Sequence, residues 1–401
     1  MRLTIDFETR SSGIDLKKVN ADVYSADPGC EVMCLAIKQD DGQTKLWAPQ
    51  RFVEQADAHA DDAFLDRLPF VGSVYVREAL LACDTIEAHN AAFEIAVWKN
   101  KFAAVMGLMP HDVPLSKWRC SQAKGSRNSL PKKLGDVCKA LHLPVNKDAA
   151  GQALMLKMCK PRAPRLAQGE TAGETYWWET DQNIYELFAY CIQDVEVEHA
   201  VSDALPDLCQ KELAIWQMDR KINGRGVYCD ADAVNAIVRM ADFQQGELHK
   251  EFEALAGCPV SKIKTIQSVL ATEYDVRMSK LTKEYVSRYL KRDIPAGARR
   301  ILELRQQLGR VSMKKYPKML QCQSADGRIR ETYKYYSAHT GRWGGRDVQT
   351  QNIPRGTFKD FEACIALAMA GQYADAQFLF GDLVEAAVTC IRSMLCAEPG
   401  N

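Results

Sequence analysis

Residues 1–10 read MRLTIDFETR, a stretch that begins like a buried β-strand yet carries two acidic side chains, Asp6 and Glu8. Successive side chains of a strand point to opposite faces, so these two carboxylates lie on the same face. Two crowded carboxylates repel each other unless a cation neutralises them. The stretch therefore predicts either a solvated strand end or part of a cation-binding site, and other segments of the chain must distinguish the two.

The composition is that of a globular protein with enough apolar residues for two or three cores. The chain has 401 residues, of which 47% are hydrophobic, and this length favours more than one domain. No apolar run reaches the roughly 18 residues that a membrane span needs. Because Asp6 and Glu8 interrupt the first apolar run, the N-terminus is not a signal peptide. We therefore expect an intracellular, cytoplasmic protein.

The cysteine pattern favours free thiols. The fourteen cysteines are scattered along the chain, and the closest pair is Cys30 and Cys34, so no C-x-x-C spacing typical of a zinc site occurs. Several lie in apolar runs, where a thiol behaves as a small buried hydrophobic group. We expect ordinary buried cysteines in a reducing compartment.

The net charge of zero conceals an uneven distribution of charge. Between residues 258 and 356, Lys and Arg outnumber Asp and Glu by more than two to one. Tyrosines are interleaved with these cations, namely Tyr285, Tyr289, Tyr316, Tyr333, Tyr335 and Tyr336. Cations with aromatic rings suit phosphate contact and stacking on bases, whereas the alternative is a solvated helical face. The stretch favours a nucleic acid as partner.

Hydrophobic periodicity indicates an α/β first half and a mainly helical second half. Short β-like runs occupy residues 2–9, 31–39, 44–49 and 84–90, and the last leads directly into a helix-like run at 91–107. Further helical stripes occupy 130–142 and 183–205. After about residue 205 the pattern is mostly helical, and a helix over 212–222 ends at NGRG, where glycine permits a sharp turn.

Two later segments carry further acids. In EAHNAAFE (87–94), the end of an apolar strand gives way to a helix that carries Glu94. In YCIQD (190–194), Tyr190 and Asp194 are four residues apart and share a helix face. If these elements converge on Asp6 and Glu8, divalent metal must neutralise four carboxylates. Hard oxygen ligands suit Mg²⁺ or Mn²⁺, and two such ions about 4 Å apart can activate a water and stabilise the leaving oxygen of a phosphodiester.

Five ordered motifs carry a resemblance to known families. IDFET (5–9), HNAAFE (89–94) and YCIQD resemble the three motifs of the proofreading 3'-5' exonucleases that have a tyrosine in the third motif. ELAIWQMDRKINGRGVYCD (212–230) and YYSAHTGRWGGRDVQTQNIPRG (335–356) resemble family A DNA polymerases, most closely the phage type. The resemblance spans almost the whole chain.

The resemblance implies an α/β fold with two domains. Residues 1–205 would form a ribonuclease H-like exonuclease domain with a mixed sheet, and residues 206–401 a mainly helical polymerase thumb with the N-terminal part of the palm. It also implies two divalent ions, Mg²⁺ or Mn²⁺, in the exonuclease site. The implied catalytic residues are Asp6, Glu8, Glu94, Tyr190 and Asp194.

Within that set, the resemblance implies distinct roles. The four acids would hold the metals, with Asp6 as the bridging ligand, and Tyr190 would hydrogen-bond the attacking water. The family has Asp at the position of Glu94, and the extra methylene moves the carboxylate by about 1 to 1.5 Å, which is tolerable if Glu94 contacts a metal only indirectly. Thr9, Asn90 and Phe93 would flank the terminal nucleotide; the alternative is ordinary capping and core packing.

The second half carries the implied contacts to primer-template duplex. LGRVSMKKYPKML (308–320) resembles the tip of the thumb, where lysines lie against backbone phosphates without reading sequence. The later motif matches residues that reach the minor groove near the primer terminus. The implied DNA-binding residues of this half are Lys314, Lys315, Arg342, Gln351, Asn352 and Arg355. We expect DNA as the partner, both as a single-stranded 3' end and as duplex.

After IRSMLCAEPGN (391–401) the family pattern continues into the palm strand that bears the first polymerase aspartate. We therefore expect a 3'-5' exonuclease of a bacterial or phage-infected cell that acts as a DNA polymerase only if palm and fingers complete it, from a longer chain or a second chain. The alternative is a catalytically silent DNA-binding fragment or a subunit of a split polymerase. An RNA-trimming exonuclease is disfavoured, since it has no use for TGRWGG and QNIP.

Overall fold

A computed structural model describes residues 1–59, 68–145, 147–309, 311–398 and 400. The chain forms two compact units. The first consists of Met1–Gly226 with Arg330–Gln349, and the second of Val227–Ile329 with Thr350–Asn401. The domain boundary predicted between residues 205 and 206 does not coincide with this division, and the domain assignment stays a prediction.

Within the described residues, the strands are β1 (Arg2–Ser11), β2 (Cys30–Gln39), β3 (Lys45–Trp47), β4 (Thr85–Ala88), β5 (Trp118–Cys120), β6 (Val227–Cys229), β7 (Arg328–Ile329), β8 (Tyr333–Lys334), β9 (Gly344–Gly345) and β10 (Leu395–Cys396). The α-helices of the first unit are α1 (Ala21–Ala26), α2 (Gln50–His59), α3 (Ser73–Ala82), α4 (Ala92–Val97), α5 (Ala103–Val105), α6 (Ser121–Arg127), α7 (Leu134–Ala140), α8 (Ala149–Met158), α9 (Asp181–Asp203) and α10 (Gln210–Arg225). Those of the second unit are α11 (Ala231–Ala256), α12 (Ile263–Tyr274), α13 (Lys283–Leu290), α14 (Ala296–Leu308), α15 (Lys315–Gln321), α16 (Phe361–Met369), α17 (Tyr373–Phe380) and α18 (Leu383–Cys390).

The first unit is built on a five-stranded mixed sheet in the order β3-β2-β1-β4-β5. Strand β1 lies in the middle, antiparallel to β2 and parallel to β4, and a bulge interrupts its pairing with β2 between Glu8 and Thr9. The expected mixed sheet with α/β character is confirmed, and so is the mostly helical composition that follows. The predicted strand runs correspond to β1 through β4.

Two predicted helices differ in detail from the structure. The run at 91–107 is not one α-helix, because a π-helical turn at Trp98–Phe102 separates α4 from α5. Both Trp98 and Phe102 are buried, so the widened turn brings two large side chains into the core. Helix α10 continues three residues beyond the predicted end, and the chain turns at Gly226, whose φ of 68° lies in the left-handed region that glycine adopts without strain.

The alternation along β1 separates core from site. Leu3, Ile5 and Phe7 enter the main core of the first unit, which also contains side chains of β2, α3 and α4. Because neighbouring side chains face opposite ways, Asp6 and Glu8 point to the other face of the sheet. Helix α9 packs on that face, as the cluster of Met33, Cys34 and Ala36 from β2 with Phe188 and Tyr190 shows.

The second unit packs helices around its own core and adds a small sheet. Phe252, Ile266 and Leu302, from three different helices, are among its fully buried side chains. Strands β10, β6 and β7 pair antiparallel in that order. All fourteen cysteines are free, and most are buried, which agrees with the expected thiols. In the described parts of the chain, no helix has the length and apolar character needed to cross a membrane.

Candidate active site

Three carboxylates meet where β1 faces α9. Asp6 and Glu8 project from the same side of β1, and Asp194 comes from the middle of α9. One oxygen from each lies within 4.8 Å of the others, so the three could act together as ligands of one ion. Glu8 and Asp194 are buried. The spacing of D-x-E on a strand and the inward face of a long helix produce this group, as predicted.

The electrostatics of this acid cluster (Asp6, Glu8 and Asp194) are unfavourable without a cation. Burial raises the pKa of Asp6 to about 7, and repulsion by Asp194 adds to the increase. Burial also raises the pKa of Glu8 well above its usual value, with Asp6 as the next cause. Desolvation and like charge both disfavour the ionised form of a carboxyl. The three carboxylates therefore need a nearby positive charge to be ionised together.

Lys147 supplies part of that charge. Its ammonium nitrogen lies 2.7 Å from Oδ2 of Asp194 and 5.4 Å from the centre of the Tyr190 ring. It also counteracts the increase in the pKa of both Asp6 and Glu8. The sequence analysis missed this residue. The sequence shows only that Lys147 precedes Asp148, the N-cap of α8, whose side chain accepts a hydrogen bond from the Ala150 amide. This position does not indicate which residues the start of the helix contacts.

Glu94 lies beside the acid cluster rather than in it. The chain turns between β4 and α4 at Asn90, which adopts a left-handed φ of 67°, a conformation that Asn tolerates better than most residues. Glu94 follows in the first turn of α4 and is only 3% exposed. Burial raises its pKa well above the usual value, and the charge of Asp6 adds to this. It is near Asp6 but is not part of the group within 4.8 Å.

The Tyr190 hydroxyl is buried one helical turn before Asp194. It has no hydrogen-bond partner of normal geometry among the described residues. Burial raises the pKa of this phenol, and the Asp194 carboxylate adds to the increase. The hydroxyl is therefore protonated and available to a bound molecule.

One cavity of about 360 Å³ collects all the predicted exonuclease residues. The sequence-predicted residues that line it are Asp6, Glu8, Thr9, Asn90, Phe93, Glu94, Tyr190 and Asp194. Thr9 also contacts the Tyr24 hydroxyl at 3.2 Å, and the Phe93 ring lies 6.2 Å from the Tyr24 ring. The structure thus brings these eight residues together, while their roles stay predictions.

The residues present fit a hard divalent cation. Oδ1 of Asp194 and Oε2 of Glu94 are buried and have no hydrogen-bond partner among the described residues. Such oxygens cost free energy unless a donor or an ion satisfies them. Carboxylate oxygens are the ligands preferred by such cations. Asp6, Glu8 and Asp194 could hold an ion directly, and Glu94 faces the same space.

The residues predicted to contact duplex DNA are not among those that line this cavity. Arg342 is exposed in the first unit. The others belong to the second unit: Lys314 and Lys315 at the start of α15, Gln351 and Asn352 in a 3₁₀ turn, and Arg355, which lines a separate cavity of about 560 Å³ with Lys283 and Arg305. Their roles are not tested by the fold and stay predictions.

Comparison with known proteins identifies a relative of the chain. A curated DNA polymerase of Bacillus phage SP02 is 31% identical over 404 residues, which cover 100% of this chain. The chain is therefore similar to a phage DNA polymerase along its whole length. This confirms the resemblance that the motifs predicted. The chain spans 58% of the length of that relative.

No protein-family model matches the chain. Among solved structures it is similar to one described as the POL domain of Pol1 from M. smegmatis in complex with DNA primer-template and dNTP. The TM-score is 0.45 and the identity 15%, over 87% of this chain and 52% of that chain. At this level the structural similarity carries no argument about the site.

Proposed function

We propose that the first unit is a metal-dependent 3'-5' exodeoxyribonuclease that proofreads for a DNA polymerase. The observation that carries the proposal is the convergence of three motifs, distant in sequence, on one cavity. The relationship to a phage DNA polymerase supplies the context in which such an activity is useful. The strand order, with β1 antiparallel to β2 and parallel to β4, fits the ribonuclease H-like fold that the motifs imply.

Mg²⁺ or Mn²⁺ is the proposed cofactor, held by Asp6, Glu8 and Asp194. Glu94 lies outside the group within 4.8 Å, which favours an indirect contact between its carboxylate and a metal. When bound, two such ions lower the pKa of a water and stabilise the leaving oxygen of a phosphodiester.

The chain's own residues position the substrate. The protonated Tyr190 hydroxyl lies on the same helix face as Asp194 and orients the attacking water by a hydrogen bond. Phe93 offers a ring to the terminal nucleotide, while Thr9 and Asn90 line the wall beside it. The cavity holds these groups on rigid elements, which keeps the reacting atoms aligned.

A second part of the proposal concerns duplex DNA. Lys314, Arg355, Gln351 and Asn352 are exposed, and the cavity beside Arg355 has further cations, Lys283 and Arg305. The cations suit backbone phosphates of a primer-template duplex, and Gln351 and Asn352 suit its minor groove near the primer terminus. A chain that binds DNA without degrading it would correspond to the alternative of a silent DNA-binding fragment.

The exonuclease proposal is tested with a 5'-labelled single-stranded oligonucleotide. With Mg²⁺ or Mn²⁺, the chain shortens it from the 3' end to mononucleotides, and Asp6→Ala or Asp194→Ala abolishes the shortening, because each removes a metal ligand. Asp41→Ala is the matched control, since Asp41 is a fully exposed acid near His199. Circular dichroism confirms that each variant is folded. Undiminished degradation by both site variants, or none by the unmodified chain, would contradict the proposal.

A further inference from the structure

A second cavity of about 780 Å³ adjoins the acid cluster within the first unit. The two cavities are adjacent, because five residues line both: Asp6, Asn90, Lys147, Asp194 and Arg346. Its lining is rich in cations: Lys132, Lys133, Lys139, Lys147, Lys334 and Arg346. Two further acids, Asp136 and Glu198, also line it, but the cations are the larger group. Such a space suits a polyanion whose end lies at Asp6 and Asp194.

Two of these cations come from a segment far along the chain. Strands β8 and β9 form a hairpin in which Lys334 pairs with Gly344, and the Arg346 amide donates to the Thr332 carbonyl at 2.8 Å. This hairpin belongs to the same compact unit as β1 and α9. It places Lys334 and Arg346 on one wall, although their sequence lies in and next to the motif that resembles a polymerase.

Lys132, another cation of this lining, contacts the same hairpin. It precedes α7, and its ammonium donates to the Ser337 carbonyl at 3.0 Å. These like charges lie close enough to affect one another. Burial lowers the pKa of Lys132, and the charge of Lys334 lowers it further. Burial also lowers the pKa of Lys334, and the charge of Arg346 adds to that decrease.

Local acids do not relieve this crowding. No described acidic side chain forms an ion pair with Lys132 or Lys334, and among the described residues the guanidinium of Arg346 forms one ion pair, with Asp347 at 3.7 Å. Cations held together without counter-ions destabilise the fold unless an anion binds between them. A polyanion bound between these side chains would relieve their mutual repulsion.

We propose that Lys132, Lys334 and Arg346 bind backbone phosphates of a single DNA strand whose 3' nucleotide lies at the acid cluster. The inference deepens the proposed exonuclease function and rests on it. It makes the preferred substrate a strand with several phosphates rather than a single phosphodiester. It also makes excision depend on residues 330–349.

Binding is measured without cleavage, by fluorescence anisotropy of labelled oligothymidylate in Ca²⁺. Arg346→Gln and Lys334→Gln weaken binding, and each lowers the slope of log K against log salt by about 0.7, the value for one phosphate contact to a single strand. Lys221→Gln is the control, because Lys221 is exposed on α10 and does not line either cavity. Site variants that bind like this control would overturn the proposal.

Activity separates a phosphate contact from a structural role. The p-nitrophenyl ester of thymidine 5'-monophosphate has one phosphodiester and no upstream strand. Lys334→Gln raises KM for oligothymidylate far more than KM for the small ester, because Lys334 lines the second cavity and not the one that contains the catalytic residues. Parallel losses on both substrates, with a lowered Tm, would contradict the assignment. If the proposed function itself fails, the unmodified chain cleaves neither substrate. The anisotropy measurement then still tests whether Lys334 and Arg346 bind the strand.

Discussion

The Lys147 ammonium lies 2.7 Å from the Asp194 carboxylate, at a point where three acids crowd. The Lys147 side chain is 22% exposed and the Asp194 side chain is 8% exposed. An ion pair at this depth matters more than one on the surface, because water screens it less. It makes the acid cluster tolerable in the folded chain.

Replacing Lys147 with Met tests this relationship. In EDTA, we expect the variant to lose about 2 kcal/mol of unfolding free energy, since the acids lose their cation. Mn²⁺ should restore more stability to the variant than it adds to the unmodified chain. Denaturant titration with and without Mn²⁺ measures both. Lys250→Met is the control, because Lys250 forms only an exposed pair with Glu247 and should show no measurable loss. An equal gain from Mn²⁺ in variant and unmodified chain would refute the role.

Stability without metal should decrease as pH rises. The pKa of Asp6 is about 7 in the folded chain against an ordinary 3.8, so between these values the folded chain holds a proton that the unfolded chain has lost. The free energy of unfolding therefore falls as pH increases through this window. Denaturation in EDTA at about pH 5 and about pH 8 measures the decrease. Asp6→Asn should remove much of it. A stability that rises over this range would show the sign to be wrong.

Shortening Glu94 tests whether its extra methylene matters. Because Glu94 lies outside the group within 4.8 Å, Glu94→Asp should leave exonuclease activity unchanged or raise it. Glu94→Gln keeps the length and removes the charge, and should reduce activity at limiting metal. The measurement is the initial rate on single-stranded DNA over a range of Mg²⁺ concentrations. A large loss in Glu94→Asp would mean that the pocket is built around the longer side chain.

Gly151 is predicted to control the position of Tyr190. A Cβ at Gly151 would lie 2.5 Å from Cδ2 of Tyr190 and 2.5 Å from Oδ2 of Asp148. Gly151→Ala should therefore cost about 1 to 3 kcal/mol by overpacking and lower exonuclease activity by displacing Tyr190. Gly246→Ala is the control: Gly246 is an exposed helical glycine with open space around it, and alanine there should stabilise the chain by up to about 1 kcal/mol. Equal effects on stability would contradict the packing argument.

Duplex binding should be strongly salt-dependent. Lys314→Ala combined with Lys315→Ala should lower the slope of log K against log salt by up to about 2 for primer-template DNA in Ca²⁺. Arg342→Ala should weaken binding to a primer terminus more than to uniform duplex, because its proposed contact is local to that end. Equal losses on both probes would reduce Arg342 to a general phosphate contact.

The sequence predicts those parts of the site that depend on local periodicity. The alternation of β1 places Asp6 beside Glu8, and the helical spacing places Tyr190 beside Asp194; both hold because each relationship lies within one element. The helix at 91–107 is predicted less well, since the apolar pattern gives no sign of the π-turn at Trp98–Phe102.

Lys147, Lys334 and Arg346 could not be predicted in the same way. Lys147 reaches the site from the start of α8 and the other two from the β8–β9 hairpin, and their proximity exists only after the chain has folded. The excess of cations between residues 258 and 356 did indicate a polyanion, but it did not indicate that Lys334 and Arg346 lie in the first unit while Lys314 lies in the second.

The assignment of residues 330–349 to the first unit has a consequence for dissecting the protein. The chain passes between units after Gly226, after Ile329 and after Gln349. A single proteolytic cut therefore cannot release either unit as one continuous polypeptide with all its parts. A fragment ending at Gly226 would lack the hairpin of Lys334 and Arg346. A complete first unit on its own would need residues 330–349 joined to residues 1–226 by a short artificial linker, which is a redesign of chain connectivity rather than a truncation.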